Sequence, residues 1–374
     1  MVTSQLTPEA LLPAGAPVTL LAADGRPVPV DDLDLPDDEV LLALYGMMVH
    51  GRRFDVQATA LTKQGRLAVY PSARGQEACQ IGAVHALRGQ DWLFPTYRDS
   101  MAVAARGVDP VQVLTLLRGE WHSGYDPYQH RVAPQCTPLA TNTLHAVGLA
   151  RAAAIKGEDT VALVMLGDGA TSEGDTHEAL NFAAVWHAPV VFLVQNNGYA
   201  ISVPLAKQTA APSLAAKGVG YGMPGTMVDG NDAAAVYAVV RRAVTAAAAG
   251  AGPALIEALT YRMEAHTNAD DASRYRSREE VDSWLARDPV TRLRDYLGRR
   301  GLLSSGARAE LDAEAEAAAA QLRQRMQADV RRDPADLFRY VYAEPTPALR
   351  GQQQELAAEL AAFEEAGARN DSDR

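Results

Sequence analysis

Two polar segments of this 374-residue chain follow apolar runs and carry oxygen ligands suited to a divalent cation. Residues 167–175 contain the carboxylate of Asp168, and residues 196–199 contain the amide of Asn197 and the carbonyl of Tyr199. Mg²⁺ is usually held by one or two protein groups together with phosphate oxygens. Asp168 and Asn197 are 29 positions apart, which fits one strand–helix–strand crossover. The spacing predicts that Asp168, Asn197 and the Tyr199 carbonyl hold Mg²⁺ bound to a diphosphate.

The first segment departs from two common phosphate-binding loops. A dinucleotide-binding fingerprint needs a small residue, usually glycine, three positions after Gly169, where this chain has Ser172. A Walker loop needs a lysine where this chain has Asp175. Acidic side chains in this loop would repel a bare phosphate, so a bridging cation is required. Taken singly, each segment is also explained as a tight turn, whereas the pair at this spacing favours the metal–diphosphate site.

The elements that must position these segments are predicted from apolar runs and helical periodicity. Strands are predicted at residues 161–166, 190–194, 226–228 and 254–258. Helices are predicted at residues 38–51, 75–88, 110–117, 139–156, 178–187 and 232–249. The alternation indicates an α/β fold, a mostly parallel sheet with helices on both faces and extra helices at both ends. In such sheets ligands bind beyond the carboxyl ends of the strands.

The domain organisation follows from changes in composition along the chain. Residues 1–37 are rich in Pro, Asp and Gly and are expected to form an extended N-terminal arm. Residues 38–345 are expected to form the diphosphate-binding domain, with C-terminal helices from about residue 281. Residues 346–374 are expected to form a helical, charged tail.

Composition excludes several classes of protein. The net charge of −11 argues against a protein that coats nucleic-acid phosphates, and 48% apolar residues exclude bulk disorder. Two cysteines cannot build a disulfide framework or a four-cysteine zinc site. No basic N-terminal segment precedes an apolar run, and no apolar stretch is long enough to span a bilayer. We therefore expect a cytoplasmic protein with no nucleic-acid or membrane partner.

Gly-Asp-Gly followed about thirty residues later by Asn-Asn resembles the thiamine diphosphate-binding motif. Residues 167–202 as a whole resemble the alpha subunit of the decarboxylating component of 2-oxo acid dehydrogenase complexes. Further matches occur in the same order as in that family, at residues 75–78, 95–98, 138–141 and 261–276. The resemblance spans residues 38–345 and implies the thiamine diphosphate-binding fold.

The resemblance also implies roles for individual residues. Asp168, Asn197 and the Tyr199 carbonyl would ligate Mg²⁺. The cofactor-binding residues would be Tyr97, Arg98, Leu139, Gly169, Ala170 and His266. In these roles the Gly169 and Ala170 amides and Arg98 hold the diphosphate, and Leu139 lies near the aminopyrimidine. Without the resemblance, a surface ion pair with Asp99 would be the simpler explanation of Arg98.

Two further features are judged against branched-chain members of the family. The Cys136 and Pro138 carbonyls, with the Thr141 and Asn142 side chains, resemble a structural monovalent-cation site that would hold K⁺. Gln195 stands where some members have arginine, so a phosphate contact is lost or is made from elsewhere.

His266 is the predicted catalytic residue. It lies in the loop that leaves the last core strand, and the family uses this histidine to contact the cofactor and assist transfer to a lipoyl group. A lone loop histidine is more often solvated, but its place in the motif favours function. Thr267 and Ser277 align with positions phosphorylated in mitochondrial relatives, and we expect no such regulation here.

The strands predicted from the sequence suffice for one sheet only. The family supplies the second, pyrimidine-binding domain on a beta subunit, and that domain carries the glutamate that starts the cofactor's proton relay. The resemblance therefore implies an obligate α₂β₂ heterotetramer, with a lipoyl domain of the acyltransferase as a further partner.

Oxidative decarboxylation of branched-chain 2-oxo acids, such as 3-methyl-2-oxobutanoate, is the favoured activity. The residues at 268–271, 196–202 and 138–141 look closer to branched-chain members than to most pyruvate enzymes. A pyruvate dehydrogenase, an acetoin dehydrogenase and a degenerate, non-enzymatic scaffold remain as alternatives.

Overall fold

The computed structural model describes residues 11–120, 123–328 and 333–372, so the first ten residues of the predicted arm lie outside it. The chain forms two compact units, Met1–Met326 and Gln327–Arg374. Within the described residues, no helix is long and apolar enough to cross a membrane.

The first unit is built on five parallel strands. The strands of the chain are β1 Trp92–Phe94, β2 Ala162–Gly167, β3 Val190–Asn196, β4 Tyr199–Ala200, β5 Val203–Pro204, β6 Gly225–Asp229 and β7 Ala254–Leu259. The parallel sheet has the order β1-β2-β3-β7-β6, and β4 pairs with β5 in a separate antiparallel ribbon. The four longer sheet strands are those that the apolar runs predict.

Helices of the first unit cover both faces of the sheet. The α-helices of the described residues are α1 Asp38–Lys63, α2 Glu77–His85, α3 Ser100–Ala105, α4 Pro110–Val113, α5 Pro127–His130, α6 Thr141–Lys156, α7 Gly174–Val185, α8 Ala233–Ala248, α9 Arg278–Leu285, α10 Pro289–Arg299, α11 Ser305–Met326, α12 Asp336–Arg339 and α13 Pro347–Ser372. Helices α1, α2, α8 and α11 contribute to one hydrophobic cluster, and α6 and α7 contribute to the other.

Alternate side chains of the central strands enter these two clusters. In β2, Leu163 and Met165 join the first cluster, whereas Val164 and Leu166 join the second. Because both faces are covered, every residue of β3 is buried, and the strand is apolar from Val190 to Val194. The predicted α/β fold is confirmed.

Two local predictions were wrong, and one short strand went unpredicted. Helix α1 continues past Gly51 to Lys63, because this glycine lets Met101 pack closely; a Cβ here would lie 3.2 Å from Met101 Sδ. The helix predicted at 110–117 breaks after Val113 and resumes as a 3₁₀ turn. Strand β1 went unpredicted because three residues carry no detectable period.

The described part of the N-terminal segment packs against the sheet. Val18 forms a parallel bridge with Val228 at the end of β6. The backbone N–H groups of Leu20 and Leu21 donate to the buried Asp232 carboxylate, which also caps α8. In the second unit, helices α12 and α13 account for most of the residues.

Candidate functional site

The carboxyl ends of three neighbouring strands meet at one edge of the sheet. Gly167 of β2 is in register with Gln195 of β3, and Gln195 is in register with Ala258 of β7. The loops that follow line a cavity of about 210 Å³. Its walls include all of the predicted Mg²⁺ and cofactor residues: Tyr97, Arg98, Leu139, Asp168, Gly169, Ala170, Asn197, Tyr199 and His266.

Asp168 is a buried carboxylate, with 1% of its surface exposed. It makes no ion pair within the described ranges, and its Oδ2 accepts a hydrogen bond of 2.7 Å from Gln208 Nε2. Burial raises the pKa of Asp168, whereas Gln208 and the Asn197 backbone N–H act to lower it. A buried carboxylate without a cationic partner is costly, so this environment suits a bound cation.

Asn197 lies in the adjacent turn and is 6% exposed. Its Oδ1 accepts a hydrogen bond from the Tyr199 backbone N–H at 3.2 Å, and its Nδ2 donates to Gln76 Oε1 at 3.2 Å. The turn is also anchored to β7, because Asn196 Nδ2 donates to the buried Glu257 carboxylate at 2.7 Å. These contacts present neutral oxygen ligands beside the Asp168 carboxylate, which is the donor chemistry that Mg²⁺ favours.

The main chain after Asp168 forms a 3₁₀ turn, Gly169–Ser172, that enters α7. A Cβ at Gly169 would lie 2.8 Å from Ala200 Cβ, so the backbone can approach β4 only because this residue is glycine. Thr176 Oγ1 donates to the Ala170 carbonyl at 2.7 Å. The turn therefore provides a firmly held surface of main-chain atoms on the cavity wall, which fits a diphosphate group.

Two side chains that support this turn were missed from the sequence. Lys217 Nζ donates to both the carbonyl and the hydroxyl of Thr171 at 3.0 Å. Gln208 contacts Asp168, and its buried Oε1 has no hydrogen-bond partner. Both residues lie between β5 and β6, in a stretch without a recognisable motif, and only the folded chain brings them to the site.

Two guanidinium groups face the ring of His266. Arg98 Nη2 lies 3.0 Å and Arg262 Nη1 lies 3.3 Å from His266 Nδ1. Since both groups can only donate, Nδ1 must accept, and the proton resides on Nε2. Burial, followed by the charges of Arg98 and Arg262, lowers the pKa of His266 to about 4. The imidazole is therefore neutral at pH 7, and Nε2–H is left for other partners.

Arg98 is buried and does not pair with Asp99. Its Nη1 donates to the Ser72 carbonyl at 2.7 Å, while the Asp99 carboxylate accepts hydrogen bonds from Thr96, Gln80 and Gln195. The simpler explanation of a surface ion pair is therefore wrong. Arg98 is aimed at the cavity by main-chain contacts.

Gln195 bridges two buried groups beside the cavity. Its Nε2 donates to Asp99 Oδ1 at 2.7 Å, and its Oε1 accepts from Gln76 Nε2 at 2.9 Å. A neutral amide can make both contacts at once, whereas arginine could only donate. The departure at this position is thus accommodated by an internal hydrogen-bond network.

The loop that carries His266 is held by its own side chains. Asp270 accepts from the His266 backbone N–H at 2.8 Å and from the Tyr275 hydroxyl. Arg262 Nη2 donates to the Tyr275 hydroxyl and to the Ile201 carbonyl, each at 2.9 Å. The imidazole is thereby fixed at the cavity wall.

The residues of the predicted monovalent-cation site also lie near one another. Cys136 Sγ contacts the Pro138 carbonyl at 3.3 Å. Burial raises the pKa of Cys136, and hydrogen bonds to Thr141 and to the Asn142 backbone offset part of that rise. Asn142 Nδ2 donates to two strand carbonyls, and its buried Oδ1 has no partner. Within the described residues, none of the four lines the cavity beyond the strand ends. The K⁺ site stays a prediction.

Comparison with known proteins agrees with this geometry. Residues 45–334 match the family described as Dehydrogenase E1 component. The chain is 50% identical over 347 residues to the 3-methyl-2-oxobutanoate dehydrogenase subunit alpha of Mycobacterium tuberculosis, covering 92% of this chain and 94% of that protein. It is 40% identical over 287 residues to the pyruvate dehydrogenase E1 component subunit alpha of Staphylococcus aureus, covering 76% and 77%. The family resemblance inferred from the motifs is confirmed, and this chain belongs to the Dehydrogenase E1 component family.

Proposed function

We propose that this chain is the alpha subunit of a thiamine diphosphate- and Mg²⁺-dependent branched-chain 2-oxo acid dehydrogenase. With a beta subunit it would decarboxylate 3-methyl-2-oxobutanoate and similar acids and transfer the acyl group to a lipoyl domain. The observation that carries the cofactor proposal is the convergence of Asp168, Asn197 and His266 on one cavity. The higher identity to the mycobacterial branched-chain subunit, over nearly the whole chain, supports the substrate class.

In this proposal each group of residues has one task. Asp168, Asn197 and the Tyr199 carbonyl hold the cation, and the Gly169 and Ala170 amides with Tyr97 and Arg98 hold the diphosphate. When bound, thiamine diphosphate supplies a nucleophilic carbon and takes up the electron pair left by loss of CO₂. His266 keeps its proton on Nε2, from which it can donate a hydrogen bond to a substrate oxygen or to a lipoyl sulfur.

The assembly and its setting complete the proposal. The described residues include one parallel sheet, so the pyrimidine-binding domain is assigned to a beta subunit in an α₂β₂ heterotetramer. K⁺ at the Cys136–Asn142 segment would brace the loop near Leu139, and the unpartnered Asn142 Oδ1 supports this assignment. A cytoplasmic location remains the expectation from the sequence.

Removing the anionic ligand tests the cofactor site. In the complex with the beta subunit, Asp168→Asn should weaken Mg²⁺-dependent binding of thiamine diphosphate on the order of 100-fold, measured by titration calorimetry. Glu178→Gln, which changes an exposed acid on α7, is the matched control and should bind normally. Unchanged affinity in Asp168→Asn would rule out the proposed cation ligand.

A substrate panel tests the activity. The chain would be co-expressed with its beta subunit, and kcat/KM compared for 3-methyl-2-oxobutanoate, pyruvate and acetoin. We expect the branched-chain acid to be preferred. A preference for pyruvate would instead assign the function of the staphylococcal relative, and inactivity on all three despite cofactor binding would favour the scaffold alternative.

A further inference from the structure

Helix α9 begins where the His266 loop ends. Ser277 caps it by accepting a hydrogen bond from the Glu280 backbone N–H at 3.2 Å. Glu280, Val281 and Trp284 are half-buried, whereas most of the remaining side chains of the helix are exposed. One face of α9 therefore packs on the rest of the protein, and it fixes the far end of the His266 loop.

The Glu280 carboxylate on that face bonds to Tyr199. The Tyr199 hydroxyl lies 3.0 Å from Glu280 Oε1 and 2.9 Å from Oε2. A tyrosine hydroxyl is protonated at neutral pH, so it is the donor in this contact and the carboxylate is the acceptor. Tyr199 is also the residue whose carbonyl is assigned to the cation. Side chain and main chain of one residue thus face two different parts of the site.

A second anchor holds α9 to the segment that leaves β7 and leads into the His266 loop. Trp284 stacks on Tyr261, with ring centroids 5.3 Å apart and an interplanar angle of 5°. Tyr261 directly precedes Arg262, which contacts His266. The aromatic stack therefore holds α9 at the root of the loop, and the Glu280–Tyr199 hydrogen bond joins α9 to the cation-binding turn.

We propose that Glu280 is a positioning residue that couples the His266 loop to the cation site through Tyr199. This inference rests on the proposed cofactor site. Docking of α9 would hold the Tyr199 main chain in the position where its carbonyl can bind the cation. Cation binding would then favour docking of α9. By linkage, docking then favours cation binding to the same degree. Docked α9 in turn keeps Tyr275 and Asp270 in place around His266.

Limited trypsinolysis of the full chain in complex with its beta subunit tests this coupling. Cleavage after Arg274 and Arg278 would be followed by mass spectrometry, with and without Mg²⁺ and thiamine diphosphate. In the wild type the cofactor should slow cleavage. Glu280→Ala and Tyr199→Phe should each reduce that cofactor-dependent protection about tenfold, because each removes the hydrogen bond between the two side chains. Phenylalanine removes the Tyr199 hydroxyl and keeps the backbone carbonyl that is assigned to the cation. The double variant should lose no more than either single one.

Two further variants separate coupling from a general structural role. Glu280→Gln retains an acceptor for the Tyr199 hydroxyl and should restore most of the protection. Asp282→Ala removes an exposed carboxylate on the same helix; because Asp282 pairs with Arg278, this control is compared at the Arg274 cleavage site, where it should behave like the wild type. Equal loss in Asp282→Ala, or full protection in Glu280→Ala, would overturn the inference.

The cofactor titration distinguishes this failure from failure of the proposed function. If the wild type binds Mg²⁺ and thiamine diphosphate but its loop gains no protection, coupling is refuted and the cofactor site stands. If the wild type binds neither, the proposed function falls and the coupling falls with it.

Discussion

At the scale of single residues, the site is defined by buried charged groups that make no ion pair with another side chain of the described chain. Asp168 is a buried carboxylate without an ion pair in the described chain, and Arg98 and Arg262 are buried guanidiniums that face a neutral imidazole. A magnesium diphosphate brings charges of both signs and would satisfy both groups. Burial and the charges of the same two arginines keep His266 neutral, because a third positive charge beside them is unfavourable.

The lowered pKa of His266 gives a direct spectroscopic prediction. In the histidine-labelled chain, the His266 NMR resonance should titrate with a midpoint near pH 4 and stay constant between pH 6 and 8. Arg98→Met should raise that midpoint, since it removes one positive neighbour. Arg151→Met, which changes an arginine stacked on Trp186, is the control and should leave it unmoved. A wild-type midpoint at or above pH 6 would contradict the neutral-imidazole account.

The same shift has a defined effect on stability. The pKa of His266 is lower in the folded chain than the ordinary value of 6.5, so the unfolded state binds more protons between those limits. The contribution of His266 to the free energy of unfolding is therefore complete above pH 6.5 and is lost as pH falls toward 4. In His266→Asn this pH dependence should flatten by less than about 1.4 kcal/mol per pH unit, the limit for one proton.

At the scale of elements, the site depends on close approach between the start of α2 and the chain leaving β7. Gly75 has φ +97°, and a Cβ there would lie 2.2 Å from the Tyr261 carbonyl oxygen. The contact is secured by a 3.0 Å hydrogen bond from the Met263 backbone N–H to the Arg74 carbonyl. This packing places Gln76 and Arg262 on the same cavity.

Gly75→Ala should therefore cost about 3 kcal/mol of unfolding free energy, from left-handed backbone strain and from overpacking. The measurement is urea-induced unfolding followed by circular dichroism. Gly89→Ala is the matched control, because a Cβ added there would meet nothing within 4 Å and the φ of Gly89 is not left-handed. That variant should stay within about 0.5 kcal/mol of the wild type. Equal stability of the two variants would refute the packing argument.

At the scale of the whole molecule, the proposed function assigns one half of a cofactor site to this chain. The buried hydrophobic clusters run from Leu20 to Met326 and surround a single parallel sheet. The cavity lies beyond the strand ends, where a second subunit can close it. The glutamate that starts the cofactor's proton relay is predicted on that subunit.

The chain alone should accordingly turn over 2-oxo acids at least about 100-fold more slowly than the complex, since one general acid–base group is absent. Release of CO₂ from 3-methyl-2-oxobutanoate, with Mg²⁺ and thiamine diphosphate present, measures this. Addition of the beta subunit should restore activity. Turnover by the isolated chain at the rate of the complex would refute the predicted dependence.

A structural feature could be predicted from the sequence where the interactions that form it are local in the chain. The long buried strands were predictable, because burial on both faces requires continuous apolar runs such as residues 190–194. Their motifs then placed Asp168 and Asn197 at one edge of the sheet. The continuation of α1 past Gly51 was not predictable, because Met101, which packs there, is distant in the chain.

The family, the sheet and the residues proposed to hold the cation could be read from the amino-acid sequence, because motifs at fixed spacing on consecutive strands encode all three. The neutral state of His266, the bridge made by Gln195, the supports from Gln208 and Lys217, and the Glu280–Tyr199 contact became visible only in the folded chain. Each of these joins segments that are far apart in the chain, and the type of a side chain does not tell which residue it will contact. Their distances and burial exist only once the sheet has aligned its loops.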